Sequence, residues 1–195
     1  MDLTFTFFMN SILLGIGLAM DAFSVSLANG LNEPCMKKRR MCKIAGIFSI
    51  FQGLMPLIGW ICVHSIAKYF ESFEKLIPWI ALVLLVFIGG KMLIEGIKNK
   101  EEDCCQRPGL TLWALIVQGI ATSIDALSVG FTIADYYFPA ALLAAFIIAV
   151  ITFIICMVGI ALGKKAGMQF SGKASILGGG ILIFIGIEIF VTSFI

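Results

Sequence analysis

Six long runs of apolar residues alternate with short polar connections along the chain, near 6 to 30, 44 to 66, 77 to 97, 111 to 134, 139 to 162 and 175 to 194. Each run is about the 20 residues that an α-helix needs to cross a bilayer, so the pattern predicts six transmembrane helices with almost nothing left for a soluble domain. Pro78 stands at a favourable first-turn position of the third run. Pro56 lies near the middle of the second, where it removes a backbone hydrogen bond; the expectation is a kink or an interruption that frees carbonyl oxygens near Gln52. Asn29-Gly30 reads as a polar cap closing the first run.

Polar positions inside the runs are few, and two of them repeat. Gly17-Leu18-Ala19-Met20-Asp21-Ala22-Phe23-Ser24-Val25-Ser26 returns as Ala121-Thr122-Ser123-Ile124-Asp125-Ala126-Leu127-Ser128-Val129, a shared Asp-Ala-x-Ser-Val core 104 positions apart. Weaker matches set Gly59 on Gly159, hence Gln52 opposite Thr152, and Phe87-Ile88-Gly89 on Phe184-Ile185-Gly186, hence Lys91 opposite Glu188. Three helices per half is an odd number, so the second half enters the membrane from the other side. The expected fold is an all-α integral membrane protein, one transmembrane domain over 1–195, built as two inverted-topology three-helix repeats over 1–100 and 101–195.

Composition agrees: 60% of the 195 residues are hydrophobic and 13% charged, with a mean hydropathy of +1.04, outside the range of ordinary soluble domains. The first run lacks the basic start and small-residue cleavage site of a secretory signal and is read as a permanent helix. Charge sets the orientation. Lys37, Lys38, Arg39, Arg40, Lys43, Lys98, Lys100, Arg107, Lys164, Lys165 and Lys173 all fall in the connections after helices 1, 3 and 5, against Lys68 and Lys75 opposite. The positive-inside rule makes the odd connections cytoplasmic and places both termini outside a cytoplasmic (plasma) membrane, and Trp79, Trp113, Tyr69, Tyr136 and Tyr137 fall at helix ends as interfacial aromatics do.

The chemistry follows from cost. A charged side chain at the centre of a membrane helix costs about 2.5–3.5 kcal/mol on insertion scales, so Asp21 and Asp125 call for a function. At about 1.5 Å per residue, Asp21 lies roughly 5 Å to the cytoplasmic side of its helix midpoint and Asp125 about as far to the outer side; one central site and two stacked sites are both compatible. Helical spacing gathers Ser24 beside Asp21, and Thr122, Ser128 and Thr132 beside Asp125, in packing or in site roles. Gly17, Ala28, Ala121 and Gly130 allow close helix approach. Lys91 and Glu95, one turn apart, form a candidate local ion pair. Asp21, Asp125 and Glu188 against Lys91 sum to −2, which a divalent cation would neutralise. Carboxylates, hydroxyls, the Gln52 amide, Asn29 and freed carbonyls are hard donors suited to Mg, Ca or Mn. Cys35, Cys42, Cys104 and Cys105 fall on the cytoplasmic side, where thiols stay reduced.

These segments, with Pro56-Leu57-Ile58-Gly59-Trp60, Gly89-Gly90-Lys91-Met92-Leu93-Ile94-Glu95-Gly96 and Ile120-Ala121-Thr122-Ser123-Ile124-Asp125-Ala126-Leu127-Ser128-Val129-Gly130, closely resemble the MntP-type manganese efflux pumps over essentially the whole chain. The resemblance implies a multi-pass exporter of Mn(II), with Asp21 and Asp125 matching the family's two motif aspartates as metal ligands. The transport path would draw on Ser24, Asn29, Gln52, Lys91, Glu95, Thr122, Ser128 and Glu188. It implies no enzyme activity and no cofactor: Mn(II) is the transported substrate, other divalent cations and the lipid bilayer are the remaining partners, and nucleic acid is not one. No Gly-x-x-x-x-Gly-Lys-Ser/Thr loop is present, so a secondary mechanism by alternating access is expected. Two rivals use the same features: an exporter of a small organic cation such as an amino acid, and an intramembrane aspartyl protease, which the absence of Gly-x-Gly-Asp disfavours.

Overall fold

A computed structural model of the chain describes residues 5–65, 77–98, 110–133, 136–169 and 174–192. Within them the secondary structure is helical: α1 (Phe5–Asn32), α2 (Lys38–Ser65), α3 (Ile77–Lys98), α4 (Leu112–Ala121), α5 (Ile124–Thr132), α6 (Phe138–Gln169) and α7 (Ala174–Thr192). The six expected runs correspond to α1, α2, α3, the pair α4–α5, α6 and α7. By length and apolarity α1, α2 and α6 can each cross a membrane, and a fourth span is counted if α4 and α5, bent by 44° at their junction, act as one. The chain is therefore a multi-pass membrane protein.

Neither Pro56 nor Asn29-Gly30 interrupts its helix. α2 runs through Pro56 without interruption. α1 continues past Asn29-Gly30 to Asn32, and Glu33 N–H closes the end on the Asn29 carbonyl at 3.1 Å. Gly30 is helix interior because it is a contact surface: a Cβ there would lie 2.5 Å from the Ile160 carbonyl oxygen and 3.0 Å from Gly163 Cα. Between apolar helices in lipid there is no hydrophobic drive to associate, so small residues that bring backbones together do the packing.

That rule organises the bundle. α1 lies along α6 in parallel, since Gly15 meets Ile148 and Ile151, Gly159 meets the Phe23 carbonyl and Ser26, and Gly163 meets the Leu27 carbonyl and Gly30. α2 meets α5 at Gly59, whose added Cβ would fall on the Leu127 carbonyl oxygen, and at Gly130, which faces Gly59 and the Pro56 carbonyl. α2 meets α6 where Ser49 Oγ donates to the Ala149 carbonyl at 2.8 Å. α3 and α7 are antiparallel and reciprocal: Gly89 meets the Gly179 carbonyl and Ile183, while Gly179 meets the Gly89 carbonyl and Leu93. This sets Gly89 of α3 against Gly179 of α7. Phe87 and Phe184, which align in the sequence, are both exposed.

The two ends of the bundle are tied differently. At one, Arg40 bonds Glu33 Oε2 at 2.7 Å and the Leu110 carbonyl at 2.8 Å, and Lys164 Nζ donates to the Met36 carbonyl at 2.5 Å. At the other, Trp60 Nε1 donates to the Tyr136 carbonyl at 3.0 Å, and Phe7 packs on Tyr136. The connection after α1 and Leu110 at the approach to α4 thus meet at one end, with Lys164 of α6 beside them. Cys35 is disulfide-bonded, against the expectation of a reduced thiol. Its partner lies outside the described residues. Cys42, Cys62 and Cys156 are free.

Close backbone contact makes a definite prediction. Gly59→Ala and Gly163→Ala are expected to destabilise the protein by about 1–3 kcal/mol each, the usual cost of overpacking. Gly46→Ala, where a Cβ meets nothing within 4 Å, is expected to be neutral or slightly stabilising. Thermal unfolding in detergent micelles checks all three.

Candidate metal site

The Asp125 motif is built at a helix break that the sequence reading did not foresee. Thr122 Oγ1 donates to the Gln118 carbonyl at 2.9 Å and reaches the Gly119 carbonyl at 3.3 Å. Ser123 Oγ also turns back to the Gly119 carbonyl. The Thr122 and Ser123 amides close on Gln118 and Ile120 at 3.0 and 3.1 Å. Hydroxyls that bond back one turn bend helices, and two in succession end α4 at Ala121 and restart the chain as α5 at Ile124. Asp125 therefore stands in the first turn of α5, where its carboxylate accepts from its own amide and that of Ala126. A helix start is a favourable place for negative charge, because its first N–H groups have no intrahelical partner. The readable signal was the Thr-Ser pair itself, hidden by the unbroken apolar composition on either side.

Asp21 sits differently. α1 passes through it unbroken, with Ala22 and Val25 fully buried against the bundle and the Asp21 side chain half-buried. Ser24, one turn on, spends its hydroxyl on the Met20 carbonyl at 3.1 Å. The folded chain nevertheless brings the two motif aspartates together, close enough for the carboxylates of Asp21 and Asp125 to repel one another. Glu188 of α7 is a second negative neighbour of Asp21. Asp125, Ser128 and Glu188 are exposed side chains. Among the described residues no three of His, Cys, Asp and Glu stand as a ready-made metal cage. A cation between the two aspartates would have its shell completed by neutral oxygens, a hard donor set.

The other expected positions divide. Gln52 is fully buried on α2 and donates Nε2 to the Leu18 carbonyl of α1 at 2.5 Å, one turn before Asp21, while its Oε1 has no partner. Thr152, its expected counterpart on α6, is also fully buried with an unpartnered hydroxyl. Thr122 is absorbed by the helix break. Asn29 is buried and donates Nδ2 to Gln118 Oε1 at 2.9 Å; Gln118, a lone amide with no periodic signal, went unremarked in the sequence. Ser26, another unremarked polar residue, is fully buried against Cys156. Lys91 is exposed on α3, and the side chain of Glu95 lies outside the described residues. Ala28 and Ala121 are buried in the packing, whereas Gly17 is exposed with nothing near it.

Comparison with known proteins finds relatives over most of the chain. Residues 35–190 match the family described as "Putative manganese efflux pump". The chain is 43% identical over 180 residues to "Putative manganese efflux pump MntP" of Ruminiclostridium cellulolyticum, covering 92% of this chain and 93% of that one. It is 44% identical over 190 residues to the protein of the same name from Clostridium botulinum, covering 92% of each. The corresponding protein of Clostridium perfringens is 40% identical over 198 residues, covering 91% of each. No solved structure matches the chain.

The break before Asp125 is open to test by stability. Replacing both Thr122 and Ser123 by Ala removes two back-bonding hydroxyls from buried positions and is expected to cost roughly 1–3 kcal/mol, about 1 per net hydrogen bond. Ser128→Ala, at an exposed position, is expected to stay within about 0.5 kcal/mol of the parent. Chemical or thermal unfolding in micelles reads both.

Proposed function

The chain belongs to the manganese efflux pump family, a family of transporters rather than enzymes for which Mn(II) is cargo and not a cofactor, and from that membership we propose that it exports Mn(II) from the cytoplasm by alternating access. The observation that carries the mechanism is the meeting of Asp21 and Asp125, from opposite ends of the sequence, as neighbouring carboxylates in the membrane-spanning bundle. Two like charges held together in an apolar setting are relieved by a bound cation. A dication suits them better than a monocation because Glu188 adds a third negative charge beside Asp21. The metal, partly dehydrated, takes one oxygen from each aspartate and further oxygens from hydroxyls, backbone or water.

The inverted-repeat reading supports this mechanism. The step that carries Asp21 onto Asp125 also carries Phe23 onto Leu127 and Ser26 onto Gly130, and the match of Gly59 with Gly159 carries one contact onto the other: Gly59 rests on Leu127 and Gly130, Gly159 on Phe23 and Ser26. Each motif aspartate is thus fixed by a glycine of the opposite repeat. Export follows if the unit of α1 and α6, bearing Asp21, rocks against the unit of α2, α4 and α5, bearing Asp125, so that the site opens first to one end and then to the other. By the positive-inside rule the end tied by Arg40 and Lys164 faces the cytoplasm and both termini face outward across the plasma membrane. A carboxylate released from the metal would take up a proton from the outer side, coupling export to proton entry.

Uptake of Mn(II) into inverted membrane vesicles under an imposed pH gradient tests the proposal. The unaltered chain and Gly46→Ala are expected to accumulate Mn(II). Asp21→Asn and Asp125→Asn are each expected to reduce the initial rate by on the order of 100-fold or more, since even outer-shell changes at metal sites cost about 10–100-fold. Uptake indifferent to both substitutions would refute the site.

A further inference from the structure

The bond between Asn29 and Gln118 joins the two units that the proposed mechanism moves. Asn29 is on α1 and Gln118 on α4, they are 1% and 0% exposed, and Asn29 Nδ2 donates to Gln118 Oε1 at 2.9 Å. Around them lie Val25, Ala28, Leu115, Val117 and Ala121, all buried and apolar. Asn29 is eight residues beyond Asp21, about 12 Å along α1, and Gln118 is seven residues before Asp125, across the break between α4 and α5. Both displacements lead the same way. α1 runs on from Asn29 towards Arg40, and Arg40 holds the Leu110 carbonyl just before α4 begins. The amide pair therefore lies between the carboxylates and the basic end of the bundle.

The pair leaves work undone: Asn29 Oδ1 and Gln118 Nε2 are buried without partners. Turning both amides over only exchanges which oxygen and which N–H are left, because one bond between two primary amides always strands a donor and an acceptor. Two apolar side chains of the same size would pack here with no stranded group. An amide pair becomes useful in a state where it is parted and its oxygens are occupied.

Resting on the export reading above, we propose that Asn29 and Gln118 form the inner gate of the ion path: joined, they close the basic end, and parted, they offer two amide oxygens to an incoming, partly hydrated divalent cation on its way to Asp21 and Asp125. Amide oxygens are hard ligands of the right class for such an ion. Being neutral, they hold it weakly enough to pass it on to the carboxylates.

Initial rates of Mn(II) uptake into inverted vesicles, measured over a range of Mn(II) concentrations, test the gate. Asn29→Asp places a charged oxygen on the approach and is expected to lower the half-saturating Mn(II) concentration about fivefold or more while slowing the maximal rate. The double variant Asn29→Leu with Gln118→Leu is expected to raise the half-saturating concentration about tenfold with an unchanged or higher melting temperature, a combination that a merely structural role does not produce. If that variant does not fold, the exchange of the two amides, Asn29→Gln with Gln118→Asn, is read in its place and is expected to keep the native constants. Loss of transport by a folded exchange variant, or native constants in Asn29→Asp, overturns the gate. A native chain that moves no Mn(II) defeats the export reading and the gate with it; native transport beside unaltered constants in Asn29→Asp or in the folded double-leucine variant defeats the gate alone.

Discussion

A polar group inside an apolar slab must find a partner, and the described helices are shaped by the ways they meet that demand. Ser11 and Ser24 return their hydroxyls to carbonyls one turn back. Ser49 and Gln52 cross to carbonyls on α6 and α1. None of these disturbs a helix. Thr122 and Ser123 are different: their hydroxyls return to carbonyls one turn back where the helix ends, and the next one begins with Asp125 in its first turn. The 44° bend gives the Asp125 carboxylate backbone amides to accept from in a segment buried within apolar surroundings.

Positioning such a site needs rigidity, and the hydrophobic effect offers little between helices that lipid surrounds equally well. Close packing at glycine supplies it. Gly59 touches Leu127 and Gly130, which lie two and five residues beyond Asp125, and Gly159 touches Phe23 and Ser26 in the same relation to Asp21. Each aspartate is thereby fixed within about a turn of a backbone-to-backbone contact. A contact that depends on the absence of a Cβ is intolerant of change, which makes these glycines as much a part of the site as the residues that would touch an ion.

What could be read in advance followed from strong, local signals. The repeated Asp-Ala-x-Ser-Val core led directly to two residues that the fold makes neighbours. Run lengths gave helix ends within a few residues for α3 and α7, expected at 77–97 and 175–194 and found at Ile77–Lys98 and Ala174–Thr192. α6 runs on to Gln169, beyond an apolar run judged to end at 162. Gly163 and Gly167 hold that extension against α1, and Lys164 binds Met36; hydropathy carries no information about either. Gln118 stayed invisible for a simpler reason. A single amide in an apolar run acquires meaning only when its partner, Asn29, arrives from 89 positions away.

Under the export proposed above, the contacts also bear on which bodies would move. Rigid motion of residues 1–100 against 101–195 would tear apart all three glycine interfaces at once, because α1 packs on α6, α2 on α5 and α3 on α7. The closest interfaces instead define mixed units, α1 with α6 and α2 with α5. These units meet where Ser49 holds Ala149 and Gly53 lies 3.0 Å from Ala149 Cβ, and where Gln52 reaches Leu18. A rocking motion that keeps the glycine contacts intact must turn about that central junction of α2 with α6. In that proposed motion Asp21 would travel with one unit and Asp125 with the other, so the distance between the two carboxylates would be the coordinate that changes. An ion bridging them would be at once the cargo and the clasp between the moving parts.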